Sequence, residues 1–143
     1  MVFTMERRET FSSAHRLHSP HLNEEENKRV YGKCNHVNGH GHNYVWRVRL
    51  RGELDEKTGM LYDLTQLKKE MGKILELVDH RNIDKDVGYF EMIPSTSENI
   101  VKFLYTSLKK IMEKPELLWE CQLEETEKNI FTFTDRQSTV DSE

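Results

Sequence analysis

Six of the seven histidines in this 143-residue chain fall between positions 15 and 42. They are His15, His18, His21, His36, His40 and His42. Neutral imidazole is a frequent ligand of zinc, and it suits zinc better than magnesium or calcium. A catalytic zinc ion takes three protein ligands and keeps one position open for water or substrate. The cluster therefore predicts a zinc site. The alternative is a polar loop whose histidines only form hydrogen bonds.

The pair His40 and His42 leads directly into the clearest strand pattern of the sequence. In a strand, residues i and i+2 point to the same face. Both histidines share the parity of Tyr44 and Trp46, so we expect them on the apolar face, where both can reach one ion. The third ligand has to come from another segment. His15 ends the first predicted strand and is one candidate, and its competitors are His18, His21 and His36.

The two cysteines, Cys34 and Cys121, are too few for the disulfide framework of a small secreted protein. Three roles fit Cys34, which lies six residues before His40. It could close a structural zinc site as a fourth ligand, act as a catalytic thiolate, or fill space in the core. Spacing alone does not decide among these three roles of Cys34. Cys121 shares the parity of Leu123 in a predicted strand, so we expect it to pack in the core.

Two further groups carry carboxylates. Glu125 continues the parity of Cys121 and Leu123, which predicts that it points inward. A buried carboxylate is costly unless it is paired, so it could anchor a ligand by accepting N–H groups from a guanidine-like ring edge. Alternatively the strand has already ended and Glu125 is solvated. Asp79 and His80 follow a helix end, where the carboxylate could orient the imidazole as a base, or His80 could simply interact with the helix dipole.

Alternating and helical patterns predict the elements that must position these residues. We expect strands over 3–14, 44–54, 118–126 and 130–134, and a short strand over 60–62. Long helices should follow the capping signals Asp63–Gln66 and Ser95–Glu98, and a short helix over 24–30 should interrupt the long connection 15–42. This order predicts an α+β fold, with helices on one face of an antiparallel sheet.

The composition predicts a single domain over residues 1–134 and a polar tail over 135–143, which we expect to be disordered. Hydrophobic residues make up 36% of the chain and charged residues 32%, which is enough for one core. A formal net charge of −4 argues against nucleic acid as a partner. No apolar run approaches the ~18 residues that span a bilayer, and the N-terminus lacks an apolar signal core. We therefore expect a cytoplasmic protein without a membrane partner.

Several separate motifs resemble the 6-pyruvoyl tetrahydropterin synthase family, in order, over about residues 7–134. In the N-terminal part of the chain, the matching segments are 11–17, 32–35 and 38–44, which read FSSAHRL, GKCN and NGHGHNY. In the C-terminal part, the matching segments are 79–82, 95–99 and 125–126, which read DHRN, STSEN and ET. Shorter matches lie at 59–60, 63–64, 67–68 and 129–130. Agreement among so many separate motifs makes the resemblance specific.

The resemblance implies the tunnelling fold, or T-fold, a four-stranded antiparallel sheet with two helices packed on one face. Three subunits would close their sheets into a barrel, and two trimers would stack into a homohexamer with active sites at subunit interfaces. It implies that the zinc ligands are His15, His40 and His42. It also implies that Cys34 is the catalytic base, with Asp79 and His80 of a neighbouring subunit as its acid–base partners. Glu125 would anchor the pterin ring, and the segment from Thr96 to Glu98 would line the pterin pocket.

The reaction implied by the resemblance is that of a carbon–oxygen lyase. It converts 7,8-dihydroneopterin triphosphate to 6-pyruvoyl-tetrahydropterin and triphosphate, a step towards tetrahydrobiopterin, with magnesium as a further requirement. The 6-carboxy-tetrahydropterin synthases of queuosine biosynthesis are the main alternative. In those enzymes the cysteine usually stands closer to the His-x-His pair, whereas five residues separate Cys34 from His40 here. A non-catalytic zinc-binding module, with Cys34 as fourth ligand, is the other alternative.

Overall fold

A five-stranded sheet organises the computed structural model of the chain, which describes residues 1–137. The strands are β1 (Phe3–His15), β2 (His40–Gly52), β3 (Arg81–Asn82), β4 (Leu118–Thr126) and β5 (Asn129–Phe133). The helices are α1 (Glu24–Tyr31), α2 (Leu64–Val78), α3 (Ile83–Asp86) and α4 (Ser97–Ile111). The spatial order of the strands is β3-β1-β2-β4-β5. The α+β architecture predicted from the element order is thus confirmed.

The longest pairing joins β1 and β2 in antiparallel register, from Phe3 opposite Gly52 to His15 opposite His40. The predicted strand over 44–54 therefore begins earlier, at His40. The alternation is regular along β2, and its fully buried side chains are those of Tyr44, Trp46, Val48 and Leu50. Because the register continues without a break to His15 and His40, the ends of both strands lie side by side.

The sheet has one short strand more than the four that were predicted. Residues 81–82, which come directly after Asp79 and His80, make β3 and run parallel to β1, with Ser13 opposite Arg81. A strand of two residues is too short to produce an alternating pattern, so the sequence holds no signal for it. The strand predicted over 60–62 is absent, and Leu61 and Tyr62 are instead buried in the core.

Helices α2 and α4 cover one face of the sheet. Asp63 caps α2 by accepting hydrogen bonds from the backbone N–H groups of Thr65 and Gln66. The cap of α4 is Thr96, which accepts from the N–H of Asn99, so the cap predicted at Ser95 lies one residue later. The residues of the two helices buried against the sheet include Leu67, Met71, Ile74 and Val78 of α2 and Ile100, Leu104 and Leu108 of α4.

Strand β4 contains an irregularity that changes which side chains face the core. The pairing with β2 shifts between Arg49 and Leu50, so that Leu118 lies opposite Leu50. Beyond the shift, Cys121 and Leu123 are fully buried, which confirms the core position predicted for Cys121. Such a bulge reverses the parity on one side of it, so Trp119 is only half-buried.

The opposite face of the sheet is charged. Arg47 lies 2.5 Å from Glu124 on the neighbouring strand, and Arg49 forms ion pairs with both Glu6 and Glu120. These cross-strand pairs bring β1, β2 and β4 together on the side away from the helices. No helix among residues 1–137 combines the length and the apolar character needed to cross a membrane.

The first residues of the predicted tail contact the folded domain. The hydroxyl of Tyr105 donates to Asp135 at 2.8 Å, and Lys109 of the same helix lies 2.5 Å from that carboxylate. Arg136 donates to the backbone oxygen of Trp119 at 2.9 Å. The rest of the predicted tail, residues 138–143, lies outside the described residues.

Candidate metal centre and active site

Three histidines meet where β1 ends and β2 begins. His15, His40 and His42 each offer one ring nitrogen, and these atoms all lie within 4.8 Å of one another. The ring centroids of His15 and His40 are 4.6 Å apart, and those of His40 and His42 are 4.9 Å apart. The structure thus brings together the predicted His-x-His pair and the predicted third histidine. Among residues 1–137, no other group of His, Cys, Asp or Glu has this geometry.

The surroundings of His15 define its tautomer. Its side chain is fully buried, and Nδ1 lies 2.7 Å from the backbone oxygen of Ser95. A carbonyl oxygen can only accept a hydrogen bond, so Nδ1 carries the hydrogen and Nε2 keeps its lone pair. The hydroxyl of Tyr44 lies 3.5 Å from Nε2. A buried histidine with its Nδ1–H bonded to a carbonyl and its Nε2 available is a common arrangement for a metal ligand.

His42 has a buried nitrogen that no protein group satisfies. Its Nε2 makes no hydrogen bond and lies 3.5 Å from the Glu125 carboxylate. Burial lowers the pKa values of both His15 and His42, so their neutral forms are favoured. Three imidazoles, one of them with an unpartnered buried nitrogen, fit a zinc ion with three protein ligands and an open fourth position.

Gly39 allows the two strand ends to approach each other. Its φ is 71°, in the left-handed region, and a Cβ atom there would lie only 2.7 Å from the backbone oxygen of His15. Any larger residue would therefore be strained and would push β2 away from β1. The glycine before His40 is thus required by the register that places His40 beside His15.

Cys34 lies in a short 3-10 turn, Gly32–Asn35, and is half-buried. Its backbone oxygen accepts from the N–H of Leu17 at 2.9 Å, and the Asn35 side chain donates to the oxygen of Leu17 at 2.7 Å. These bonds fix the turn to the segment that follows His15. Cys34 does not belong to the cluster of candidate metal ligands. The other thiol, Cys121, has its pKa raised to about 12 by burial, which makes it a poor base at neutral pH.

Asp79 and His80 form a pair at the edge of β1. His80 Nδ1 lies 3.0 Å from Asp79 Oδ1, and the same oxygen accepts from the N–H of Ser12 at 3.0 Å. The N–H of Ser12 is the main cause of the lowered pKa of Asp79. His80 is exposed and has φ 58°, a strained value for a residue other than glycine. Together with His42 it lines an open groove of about 480 Å³, whose lining does not include Cys34.

The three residues predicted to contact the pterin lie in different surroundings. Glu125 reaches the cluster, because its carboxylate lies beside His42 and its side chain is only 22% exposed. Thr96 is half-buried and follows Ser95, whose carbonyl contacts His15. Glu98 is exposed in the first turn of α4. The structure thus places Glu125 at the cluster and Thr96 next to it in the chain.

Two residues next to the histidines were not predicted to belong to the site. Ser95 was interpreted as a helix cap, yet it is fully buried and contacts His15. Asp84, which was not singled out, accepts a hydrogen bond from the Ser95 hydroxyl at 2.5 Å. Neither has a sequence signal of its own, because each meets His15 only after the chain has folded.

Comparison with known proteins identifies the family. The profile of "6-pyruvoyl tetrahydropterin synthase" matches residues 4–136. A solved structure of the Caenorhabditis elegans 6-pyruvoyl tetrahydropterin synthase is 54% identical, with a TM-score of 0.93, and the match covers 95% of this chain and 97% of that one. The 6-pyruvoyl tetrahydrobiopterin synthase of Drosophila melanogaster is 47% identical over 92% of this chain and 79% of its own length.

A more distant relative belongs to the alternative group of enzymes. The 6-carboxy-5,6,7,8-tetrahydropterin synthase of Aquifex aeolicus is 26% identical, over 67% of this chain and 69% of its own length. The pyruvoyl enzymes are therefore the nearer relatives in both identity and coverage. The profile match and the similarity in sequence and structure show that this chain belongs to the 6-pyruvoyl tetrahydropterin synthase family.

Proposed function

We propose that this protein is a zinc-dependent 6-pyruvoyl tetrahydropterin synthase, a carbon–oxygen lyase of tetrahydrobiopterin biosynthesis. Its substrate would be 7,8-dihydroneopterin triphosphate, and its products 6-pyruvoyl-tetrahydropterin and triphosphate. The observation that carries the proposal is the convergence of His15, His40 and His42 within 4.8 Å in a chain of this family. Magnesium is a further requirement that we propose on the basis of the family resemblance alone.

In this proposal the three histidines hold the zinc, and Glu125 holds the pterin. When bound, zinc supplies Lewis acidity that acidifies the C–H bonds next to the side-chain hydroxyls of the substrate. Glu125 has no Lys or Arg partner among residues 1–137, and its carboxylate lies beside His42. It is therefore available to accept two N–H groups from the pterin ring. Thr96 and Glu98 complete the ring pocket.

Cys34 moves the protons. Its thiolate accepts a proton from a side-chain carbon of the substrate and returns it to the ring. The electrons move in the same direction, so the side-chain carbon is oxidised and the ring imine is reduced. The next side-chain carbon then loses a proton, and its electron pair forms a C=C bond as the C–O bond to the triphosphate breaks. The resulting enol tautomerises when its hydroxyl loses a proton and its terminal carbon gains one, which produces the second carbonyl and the methyl group. Asp79 orients His80, and this pair exchanges protons with Cys34 and the substrate.

The proposed assembly is a homohexamer made of two trimers. Strand β3 pairs with β1 only at Ser13 and Ala14, so the edge of β1 over residues 3–12 has no partner strand within the described chain. The outer edge of β5 is also free there. Free edges at both ends of a sheet favour head-to-tail pairing between copies, which closes into a ring. The same contact would bring Asp79 and His80 of one subunit to Cys34 of another.

Two observations weigh against the alternatives. The Aquifex aeolicus 6-carboxy enzyme is a more distant relative than the Drosophila melanogaster pyruvoyl enzyme, and the five residues between Cys34 and His40 follow the pyruvoyl pattern. A structural zinc module needs a fourth ligand, yet Cys34 does not belong to the histidine cluster. Both observations favour a zinc site with an open position for substrate.

Product analysis tests the proposal directly. The zinc-loaded protein is incubated with 7,8-dihydroneopterin triphosphate and magnesium, and the products are separated by chromatography and identified by mass spectrometry. We expect equal amounts of triphosphate and 6-pyruvoyl-tetrahydropterin. Formation of 6-carboxy-tetrahydropterin with acetaldehyde would establish the alternative enzyme. Unchanged substrate, with zinc bound in full, would favour the non-catalytic module.

A further inference from the structure

We propose that Asp84 is a positioning residue that holds His15 in the orientation and tautomer required of a metal ligand, acting through Ser95. The inference rests on the proposed zinc site and assigns a role to a residue outside it. Asp84 contacts none of the three imidazoles through a hydrogen bond. It acts on the two backbone segments that determine where the His15 ring lies.

The first segment is the one that accepts the hydrogen bond of His15. The Ser95 carbonyl lies 2.7 Å from His15 Nδ1, and the Ser95 hydroxyl donates to Asp84 Oδ1 at 2.5 Å. Ser95 is fully buried, so water does not reach its carbonyl or its hydroxyl. By accepting from the Ser95 hydroxyl, the Asp84 carboxylate limits the movement of Ser95. The Ser95 carbonyl in turn holds the His15 imidazole.

The second segment is the chain directly after His15. The other carboxylate oxygen, Asp84 Oδ2, accepts from the backbone N–H of Arg16 at 2.6 Å. One carboxylate therefore joins the end of β1 to the loop before α4, and His15 lies between these two attachments. Bonds to an ionised acceptor are roughly twice as strong as neutral ones, which suits a group that has to limit ring movement.

The helix that carries Asp84 does not need this carboxylate. Asn82 caps α3 by accepting from the N–H of Lys85, and Asp86 accepts from the N–H of Asn82 at 2.8 Å. No Lys or Arg among residues 1–137 forms an ion pair with Asp84, whose side-chain bonds go to Ser95 and Arg16. The position of the carboxylate is thus explained by the neighbours of His15 and not by capping or by charge pairing.

Removal of a direct hydrogen-bond partner of a ligating histidine typically lowers metal affinity by about 10–100-fold, and for Asp84, which is one bond further from the ring, we expect an effect at the lower end of this range. The test compares the wild-type protein with Asp84→Asn and with Asp86→Asn, a matched control in the same helix. Zinc affinity is measured by competition with a chromogenic chelator, and the melting temperature is measured with and without zinc. We expect zinc affinity to fall at least tenfold in Asp84→Asn and to stay within twofold of wild type in Asp86→Asn.

The melting temperatures separate positioning from a purely structural role. A positioning role reduces the increase in melting temperature that zinc produces, because a weaker ligand stabilises less. If Asp84→Asn is less stable but binds zinc like the wild type, the inference is wrong. Ser95→Ala removes the same link, together with the 3.4 Å contact between its hydroxyl and His15 Nδ1, and keeps the carbonyl, so it provides the test if Asp84→Asn does not fold. A wild-type protein that fails to bind zinc would instead overturn the proposed metal site.

Discussion

One face of the β1–β2 pair is an apolar core along most of its length and a cluster of imidazoles at one end. The apolar half consists of Tyr44, Trp46, Val48 and Leu50, all fully buried. The histidine half consists of His15, His40 and His42. Both halves share one register and one alternation, without a break between them. The backbone is thus the same in both, and side-chain chemistry alone separates a stabilising region from a reactive one.

Burial has different consequences in the two halves. In the apolar half, each buried side chain contributes roughly 1.5–3 kcal/mol to folding. In the histidine half, burial lowers the pKa values of His15 and His42 and leaves the His42 Nε2 without a hydrogen bond. These conditions suit metal binding and add little to stability. A site can thus be built at the end of a core by changing residue types while the fold stays the same.

Loss of one imidazole should have the largest effect, because it removes the metal from the histidine half. In His42→Ala, zinc content measured by atomic absorption should fall to a small fraction of the wild-type value, and turnover should disappear with it. The variant should still unfold cooperatively, since the apolar half is unchanged. His21→Ala, which alters an exposed histidine outside the cluster, is the control and should keep its zinc. Full zinc content in His15→Ala, by contrast, would assign the third ligand to His18 or His21.

Cys34→Ala should separate chemistry from metal binding. General-base catalysis contributes about 10²–10⁴-fold, so turnover should fall by a similar factor while zinc content and pterin binding stay as in the wild type. Rate, zinc content and melting temperature are measured on the same preparation. Cys121→Ala is the matched control, and it should lower stability with little change in turnover, because Cys121 is fully buried in the core. Loss of zinc in Cys34→Ala would mean that this thiol is a metal ligand.

A core substitution should have the opposite pattern. Leu50→Ala creates a cavity in the apolar half, and changes of this kind cost about 2–5 kcal/mol in the free energy of unfolding. Urea denaturation should register this loss, while zinc affinity of the folded protein should stay near the wild-type value. A parallel loss of zinc affinity would show that the two halves are coupled and not independent.

The smallest predicted effect concerns the carboxylate beside His42. Glu125→Gln keeps the shape but loses the charge, and a charge-assisted hydrogen bond is worth about 1.5–3 kcal/mol, so pterin binding should weaken about tenfold or more. Glu124→Gln is the matched control at the preceding residue, since Glu124 faces away from the site and pairs with Arg47. Fluorescence titration with a pterin measures the binding affinity of both variants. Equal affinity in Glu125→Gln and the wild type would place the ring elsewhere.

The sequence predicts the parts of the site that follow from local periodicity. Parity along β2 places His40 and His42 on the buried face, and the end of the first strand offers His15 as one candidate, which the family resemblance selects. What it misses depends on contacts between distant segments: the two-residue strand at Arg81, the bulge that turns Trp119 outward, and the contact of Ser95 with His15. These features leave no periodic pattern, because each arises from a few residues that meet after the sheet has formed.

X-ray absorption at the zinc edge identifies the atoms bound to the metal, so it shows whether the three histidines form an open zinc site. For the zinc-loaded wild-type protein we predict a first shell of nitrogen and oxygen at about 2.0–2.1 Å, with three imidazoles and no sulfur. The spectrum should be the same in Cys34→Ala. A sulfur at about 2.3 Å in the wild type, lost in Cys34→Ala, would contradict the account, since it would make Cys34 the fourth ligand of a closed structural site.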